Sequence, residues 1–258
     1  MNKNNNNDKY KFIEKNFYNL RNQICSEFEA IENESKTNPN INLKPGKFKR
    51  KKWKRKADKG YSSGGGGEMS IMYGKVFEKV GVNISTVMGS FTEEMKNKIP
   101  GAKNNPNFYA TGISLVAHMH SPFIPAAHFN TRFIRTTKNW FGGGADLTPM
   151  LHSKRNSNDT DTILFHESMR KACQEYPFAK YKEFKANCDK YFFIKHRKEN
   201  RGTGGIFFDR FKSEQTSSDF LFLNDVGNNF IKTYKQIILS NMSKEWNDNH
   251  RMDVLEST

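Results

Sequence analysis

The spacing of apolar residues divides the chain into helical and extended segments. Near the N-terminus apolar residues recur every three or four positions, which predicts an amphipathic helix along Ile13, Phe17, Leu20, Ile24, Phe28 and Ile31. The asparagine-rich start predicts disorder over residues 1–9, and residues 33–44 predict a polar linker. The glycine run within residues 62–67 has two interpretations, a flexible linker or a backbone surface brought close to a bound group.

Strand patterns follow in the middle of the chain. VNISTVM (82–88) and GISLVAH (112–118) alternate like half-buried strands, and HFNTRFI (128–134) follows two prolines that a central strand would not contain. Because side chains on a strand alternate between faces, each of the last two strands has one polar face, formed by Ser114, Val116 and His118 and by His128, Asn130 and Arg132. Pairing of these faces would create one polar patch. In NWFGGGADLTP, three glycines before Asp146 predict a close backbone approach that places this carboxylate beside the patch, or else a turn capped by Asp146.

Three helices are predicted in the C-terminal half. The first opens at Asp159 and Thr160 as cap candidates. The last spans Ser217 to Ser240, with five inward positions at Phe220, Leu223, Phe230, Tyr234 and Ile238. One face of the first helix is predicted to be formed by Ile163, His166, Arg170 and Cys173. The corresponding face of the second helix is predicted as Tyr181, Phe184, Cys188 and Phe192, and His196 is predicted to continue it. Strands and helices alternate too irregularly for repeated βαβ units, so the pattern favours an α+β fold with a sheet flanked by helices.

Composition narrows the class of protein. A chain of 258 residues with 35% hydrophobic content can bury one sizeable core, so a single domain over residues 1–258 is expected. The sequence has neither a long apolar run nor a signal-like N-terminus, which predicts a cytoplasmic protein without a transmembrane segment. Three widely spaced cysteines without a Cys-x-x-Cys pair predict reduced core thiols.

The charge balance points to anionic partners. The formal net charge is +15, and much of it lies in KFKRKKWKRK, residues 47–56. No recognised nucleic-acid-binding module accompanies this run, so nucleic-acid binding is the remote alternative to a solvated or substrate-facing basic arm. The sequence also lacks a P-loop, a His-Glu-x-x-His zinc motif and a Gly-x-Ser-x-Gly elbow. The residues alone therefore predict an enzyme-like polar patch that prefers anions, and no particular chemistry.

Six segments in order resemble the oxygen-dependent coproporphyrinogen-III oxidase family. They are GGGGEMSIM, VFEKVGVNIS, GISLVAHMHSPFIPAAHFNTRF, WFGGGADLTP, YFFIKHR and RGTGGIFF, and the resemblance runs from about Phe48 to about Phe211. It implies conversion of two propionates of coproporphyrinogen III to vinyl groups in haem biosynthesis, giving protoporphyrinogen IX, with O2 as the electron acceptor and no organic cofactor. It also implies a large antiparallel sheet with helices on both faces, and a homodimer. By this resemblance the GGGG run, residues 64–67, is expected to be a loop near the substrate-binding cleft and not a linker between domains.

The resemblance also implies roles for individual residues. His128 matches the proton donor of the family, and Asp146 and Arg201 match further catalytic positions. Ser114, Asn130, Thr131 and Arg132 match substrate-binding positions. Some bacterial members are described as metal-dependent, which implies a divalent metal such as manganese on His118, His128, His166 and His196.

Beyond RGTGGIFF the chain departs from the family pattern. A C-terminal block with an Arg-Gly-Arg-Tyr segment is expected there and is not found before HRMDVLEST. Reduced turnover of this chain is therefore expected. A catalytically inactive member that binds a tetrapyrrole or a partner remains the alternative function.

Overall fold

The fold is built on one antiparallel sheet. A computed structural model describes residues 3–34, 42–58, 60, 62–213 and 216–257. Seven strands pair in the order β1-β2-β3-β4-β5-β6-β9, and β7 and β8 form a separate two-stranded hairpin. The strands are β1 (Lys49–Lys54), β2 (Gly65–Met72), β3 (Phe77–Ser90), β4 (Asn107–Met119), β5 (Ala126–Arg135), β6 (Asn139–Thr148), β7 (Phe193–Ile194), β8 (Glu199–Asn200) and β9 (Gly204–Phe211).

Long helices cover the apolar face of the sheet. The helices are α1 (Lys3–Glu34), α2 (Glu93–Lys96), α3 (Thr160–Gln174), α4 (Tyr181–Tyr191), α5 (Thr216–Asn241) and α6 (Asp248–Ser257). Ring contacts join α1 to β3 through Phe28 and Phe77 at 4.8 Å, and α5 to β5 through Phe230 and Phe129 at 5.0 Å. The six apolar positions predicted along α1 are all buried, as are the five predicted inward along α5. These two stripes are confirmed.

Helix α4 packs along the last strand of the sheet and reaches both faces. Near its start Phe184 lies 5.1 Å from Phe208, whose neighbours belong to the core. At its end Tyr191 stacks at 4.6 Å on Phe207, on the opposite side of β9. An α+β fold with a large antiparallel sheet and flanking helices is therefore confirmed.

Buried polar contacts fix α1 on the sheet. Arg21 lies 2.7 Å from Glu68 and donates to Ser70 of β2. At the other end of α1, the fully buried Glu32 carboxylate accepts four backbone N–H bonds of 2.8–3.0 Å, from Gly46, Lys75, Val76 and Phe77. A buried carboxylate needs such partners, so Glu32 determines where the chain enters β3.

The backbone of residues 3–9 is helical, because α1 begins at Lys3, and the disorder expected over residues 1–9 stays a prediction. The prediction about the glycine-rich segment is wrong. Gly65–Gly67 form the start of β2, paired with β1 and β3, and not a loop. Glycine lowers strand propensity, but two neighbouring strands hydrogen-bond this segment from both sides. The polar linker predicted at 33–44 lies largely outside the described residues.

Two further predictions about helix faces are also wrong. Asp159 caps α3 as predicted, but Ile163 is 43% exposed, and Phe165 and Met169 form the buried face instead. The larger side chains thus decide which face of α3 is buried. His196 does not continue α4, because the chain reverses direction after Phe192 and His196 lies in the turn between β7 and β8.

The cysteine prediction agrees with the structure. Cys25, Cys173 and Cys188 are buried and unpaired. Burial raises the pKa of Cys25 to about 11 and that of Cys173 to about 12. Among the described residues no helix is both long and apolar enough to span a bilayer.

The close packing at Gly67 generates a stability prediction. A Cβ at Gly67 would lie 2.2 Å from the Ile84 carbonyl oxygen and 2.9 Å from the Trp53 ring, whereas at Gly81 it would meet nothing closer than 3.8 Å. Gly67→Ala is therefore expected to lower the free energy of unfolding by about 1–3 kcal/mol, and Gly81→Ala by much less. Urea unfolding of both variants measures this. Equal stability of the two would contradict the packing of β1, β2 and β3.

Candidate active site

The sheet register gathers the predicted polar residues on one face. Ser114 of β4 lies opposite Asn130 of β5, and His128 of β5 lies opposite Asp146 of β6. Arg132 follows on the same side of β5, two residues beyond Asn130. Because directly opposed residues point to the same side of a sheet, these five side chains share one face. The predicted pairing of the polar faces of β4 and β5 is therefore confirmed.

His128, Asp146 and Arg201 form a compact cluster on this face. Arg201 Nη2 lies 2.6 Å from Asp146 Oδ2 and 3.2 Å from His128 Nδ1. His128 Nδ1 lies 3.3 Å from the same carboxylate oxygen. Asp146 is only 5% exposed, so its charge requires a partner such as this guanidinium.

Backbone and aromatic contacts hold Arg201 in place. Its N–H donates to the Phe192 carbonyl at 3.1 Å, immediately after β8. Its guanidinium carbon lies 3.8 Å from the centre of the Phe192 ring, which is the geometry of a cation–π contact. The short β7–β8 hairpin thus returns the chain so that Arg201 reaches across to β5 and β6.

The cluster determines which nitrogen of His128 holds the proton. A guanidinium is always protonated and can only donate, so the contact from Arg201 makes Nδ1 an acceptor. Neutral His128 then holds its proton on Nε2. If the ring becomes protonated, the second proton lies on Nδ1, where Asp146 can stabilise the charge.

Arg132 forms a second polar group on the same face. Its Nη2 donates to Asp209 of β9 at 2.9 Å and its Nη1 to Asn130 at 3.3 Å. Gly142 of β6 lies between them, and a Cβ there would be 2.8 Å from Arg132 Nε and 2.9 Å from Asp209 Oδ1. The glycine therefore leaves the space that this ion pair occupies.

Two cavities open on the polar face. The first, of about 350 Å³, is lined by Ala126, Thr148, Met150, Ile194, His118, His128, His196, Arg155, Arg197 and Arg201. It has several cationic or protonatable side chains and no carboxylate in its lining, which suits a bound carboxylate. The second, of about 910 Å³, has Ser114, Asn130 and Arg132 in its floor and the aromatic residues Trp53, Tyr191, Phe192 and Phe207 in its walls. It suits a larger, partly apolar group.

The four histidines of the predicted metal site do not converge. His118, His128 and His196 line the first cavity, and burial lowers the pKa of His118. His166 lies apart, with Nδ1 bonded to the Tyr181 hydroxyl and Nε2 to the Thr203 carbonyl, both at 2.9 Å. Within the described ranges no group of three or more His, Cys, Asp or Glu side chains is arranged to hold a metal ion. The predicted four-histidine set therefore does not fit, because hydrogen bonds occupy both ring nitrogens of His166.

The side chain of Thr131 points away from the cleft. It lies between Asn130 and Arg132, so strand alternation turns its side chain to the apolar face, where the residue is fully buried. Its hydroxyl has no hydrogen-bond partner in the described structure. Thr131 still borders the larger cavity, so a contact with a ligand there would be made by its main-chain atoms.

Several residues of the cleft were not found from the sequence. They are Trp53, Arg155, Tyr191, Phe192, Arg197, Phe207 and Asp209. Alternation along IFFDRF would have placed Phe207 and Asp209 on one face. The others come from separate segments that only the tertiary structure brings together.

Comparison with known proteins identifies one family. The sequence profile described as coproporphyrinogen III oxidase matches residues 12–253. A Rickettsia bellii protein named oxygen-dependent coproporphyrinogen-III oxidase is 48% identical over 235 residues, which are 91% of this chain and 80% of that relative. A Rickettsia africae protein of the same name is 50% identical over 230 residues, which are 89% of this chain and 78% of that relative. The profile match includes every cleft residue named above.

Two buried threonines, Thr111 of β4 and Thr131 of β5, provide a test of which side chains point to the apolar face of the sheet. Thr131→Val is expected to leave the free energy of unfolding unchanged or to raise it by up to about 1 kcal/mol, because it removes an unpartnered hydroxyl. Thr111→Val is expected to lower it by about 1–3 kcal/mol, because Thr86 then loses its 2.9 Å hydroxyl partner. Thermal or urea unfolding distinguishes the two. A larger loss in Thr131→Val would show that its hydroxyl has a partner.

Proposed function

The chain belongs to the coproporphyrinogen III oxidase family, and from this premise we propose that the polar cleft catalyses oxidative decarboxylation of coproporphyrinogen III. Each converted propionate loses CO2 and the equivalent of a hydride and becomes a vinyl group. One O2 accepts the hydride and one proton and leaves as hydrogen peroxide. Two such conversions give protoporphyrinogen IX in haem biosynthesis, and O2 is the co-substrate.

The observation that carries this assignment is the His128–Asp146–Arg201 cluster beside a carboxylate-suited cavity. The substrate has four propionates, and the lining of the smaller cavity includes Arg155, Arg197 and Arg201 and no carboxylate side chain. Arg201 is paired with Asp146 and Arg197 lies 3.9 Å from Glu199, so both guanidinium groups are already oriented. The larger cavity supplies aromatic walls for the apolar macrocycle. A propionate in the first cavity would place its carbon chain beside His128.

His128 is proposed as the proton donor. Each hydrogen peroxide requires one proton in addition to the hydride. In the imidazolium form of His128, Asp146 Oδ2 lies 3.3 Å from Nδ1 and stabilises the positive charge. Release of one ring proton then returns His128 to its neutral form, in which the contact from Arg201 favours the remaining proton on Nε2. Arg201 holds the Asp146 carboxylate in place for this task through its 2.6 Å contact.

Ser114, Asn130 and Arg132 are proposed to hold the substrate. All three line the larger cavity, and Arg132 offers a planar guanidinium that is already oriented by Asp209 and Asn130. Oriented donors lose less conformational entropy on binding than free ones. Thr131 is not part of this set.

Two further expectations stay predictions. The homodimer rests on the family resemblance, and the cytoplasmic location rests on the lack of a long apolar run and of a signal-like N-terminus in the sequence. No step of the proposed reaction is assigned to manganese, because the predicted ligand His166 lies outside the cavity. A single domain over residues 1–258 is supported by the continuous hydrophobic core that α1, α3, α5 and the sheet share.

A turnover assay tests the proposed function. Purified protein is mixed with coproporphyrinogen III in air and under nitrogen, and the products are oxidised and separated by their porphyrin fluorescence. Protoporphyrin is expected in air only, with two hydrogen peroxide molecules per product. His128→Ala is expected to lower kcat by about 10²–10⁴ because it removes the proton donor, whereas Thr131→Val is expected to leave KM unchanged.

Two outcomes of this assay would contradict the proposal. Binding of coproporphyrin without any aerobic turnover would favour an inactive tetrapyrrole-binding member of the family. Equal product formation in air and under nitrogen would show that O2 is not the electron acceptor.

A further inference from the structure

The basic edge strand β1 has no role in the cluster around His128. Its sequence is KRKKWK, and five of its six residues are exposed. The strand pairs with β2 along one side only and forms the edge of the seven-stranded sheet. Its cationic side chains therefore point alternately to the cleft face and to the opposite face of the sheet.

The register with β2 shows which residues of β1 face the cleft. Lys51 lies opposite Met69, and Trp53 lies opposite Gly67. Trp53 and Met69 both line the larger cavity, so Lys51 points to the cleft side, and Lys49 follows two residues earlier on the same side. Lys52 and Lys54 point to the opposite side, where their neighbour Arg50 lies 4.0 Å from Glu68.

The charges of the two cleft-facing lysines are not paired with any residue that the structure describes. Lys49 and Lys51 are exposed, and neither makes an ion pair or a side-chain hydrogen bond with any residue that the structure describes. Gly67 and Gly112 lie on the same face between these lysines and Arg132. Because neither glycine has a side chain, the cleft is open above these two positions. Met69 and Val116 expose apolar surface there, at 36% and 38% of their areas.

The substrate has a matching charge pattern. Two of the four propionates are converted, and the other two keep their charge throughout the reaction. When one propionate lies beside His128, carboxylates across the macrocycle must lie toward another part of the sheet. Strand β1 is four strands from β5, which is roughly 19 Å at the usual interstrand spacing, and the lysine stems shorten this gap.

We propose that Lys49 and Lys51, on the cleft side of β1, bind the propionates of the substrate that are not converted. This assignment rests on the proposed function of the cleft. Trp53, two residues along β1 from Lys51, lies against Gly67 and lines the larger cavity, where its ring can contact the macrocycle. The basic strand thus selects substrates by the number of carboxylates far from the reacting group.

Charge-matched variants of β1 test the proposal. Lys49→Gln/Lys51→Gln removes two charges on the cleft side, and Lys52→Gln/Lys54→Gln removes two on the opposite side of the same strand. Each protein is titrated with coproporphyrin, a non-reacting tetracarboxylate, and with a dicarboxylate porphyrin that lacks the two retained propionates. Fluorescence gives Kd, and unfolding curves verify that both variants are folded.

The cleft-side variant is expected to bind coproporphyrin about three- to tenfold more weakly, as for two partly exposed ion pairs, with no change for the dicarboxylate. Its KM for coproporphyrinogen III should rise by the same factor while kcat is unchanged. Equal weakening by both variants, equal weakening for both porphyrins, or no weakening would each overturn the assignment. Absence of turnover in the unmodified protein contradicts the proposed function, whereas the Kd comparison tests the lysines separately.

Discussion

The hydrogen-bonded register of β4, β5 and β6 is the constraint on which the site depends. It places Ser114 opposite Asn130 and His128 opposite Asp146. A slip of one residue would turn His128 into the core and expose Phe129, which is 1% accessible. Burial of the phenylalanines of β5 against α1 and α5 therefore fixes the positions of the polar residues as well. The same packing that stabilises the fold orients the chemistry.

Electrostatics on the polar face favour a polycarboxylate. The one buried carboxylate of the cluster, Asp146, is neutralised by Arg201, and Asp209 is paired with Arg132. The lining of the small cavity contains no carboxylate, and Lys49 and Lys51 on the cleft side of β1 make no ion pair with a residue that the structure describes. A flexible substrate with four carboxylates would thus meet cations at two ends of one sheet face, and aromatic and apolar surface between them.

The sequence predicted the parts of the structure that depend on strong periodicity. Helix α1, helix α5 and the polar faces of β4 and β5 follow from apolar spacing, because burial of one face decides each of them. The strand at Gly65–Gly67 was not predicted, since its stability comes from two neighbouring strands and not from its own residues. Thr131 was assigned by resemblance against the alternation of its own strand. The position of His166 depends on contacts with Tyr181 and Thr203, which no local pattern reveals.

The position of the ring proton of His128 shows whether His128, Asp146 and Arg201 act as one cluster. Nitrogen NMR of the protein with 15N-labelled histidine, assigned with a His128→Gln variant, distinguishes the two neutral tautomers. Above about pH 8, where a histidine ring is ordinarily neutral, we expect a proton on Nε2 and an unprotonated Nδ1 that accepts from Arg201. In Arg201→Gln the proton should move toward Nδ1, where Asp146 becomes its acceptor. A protonated Nδ1 in the unmodified protein, or the same tautomer in both proteins, would contradict the account.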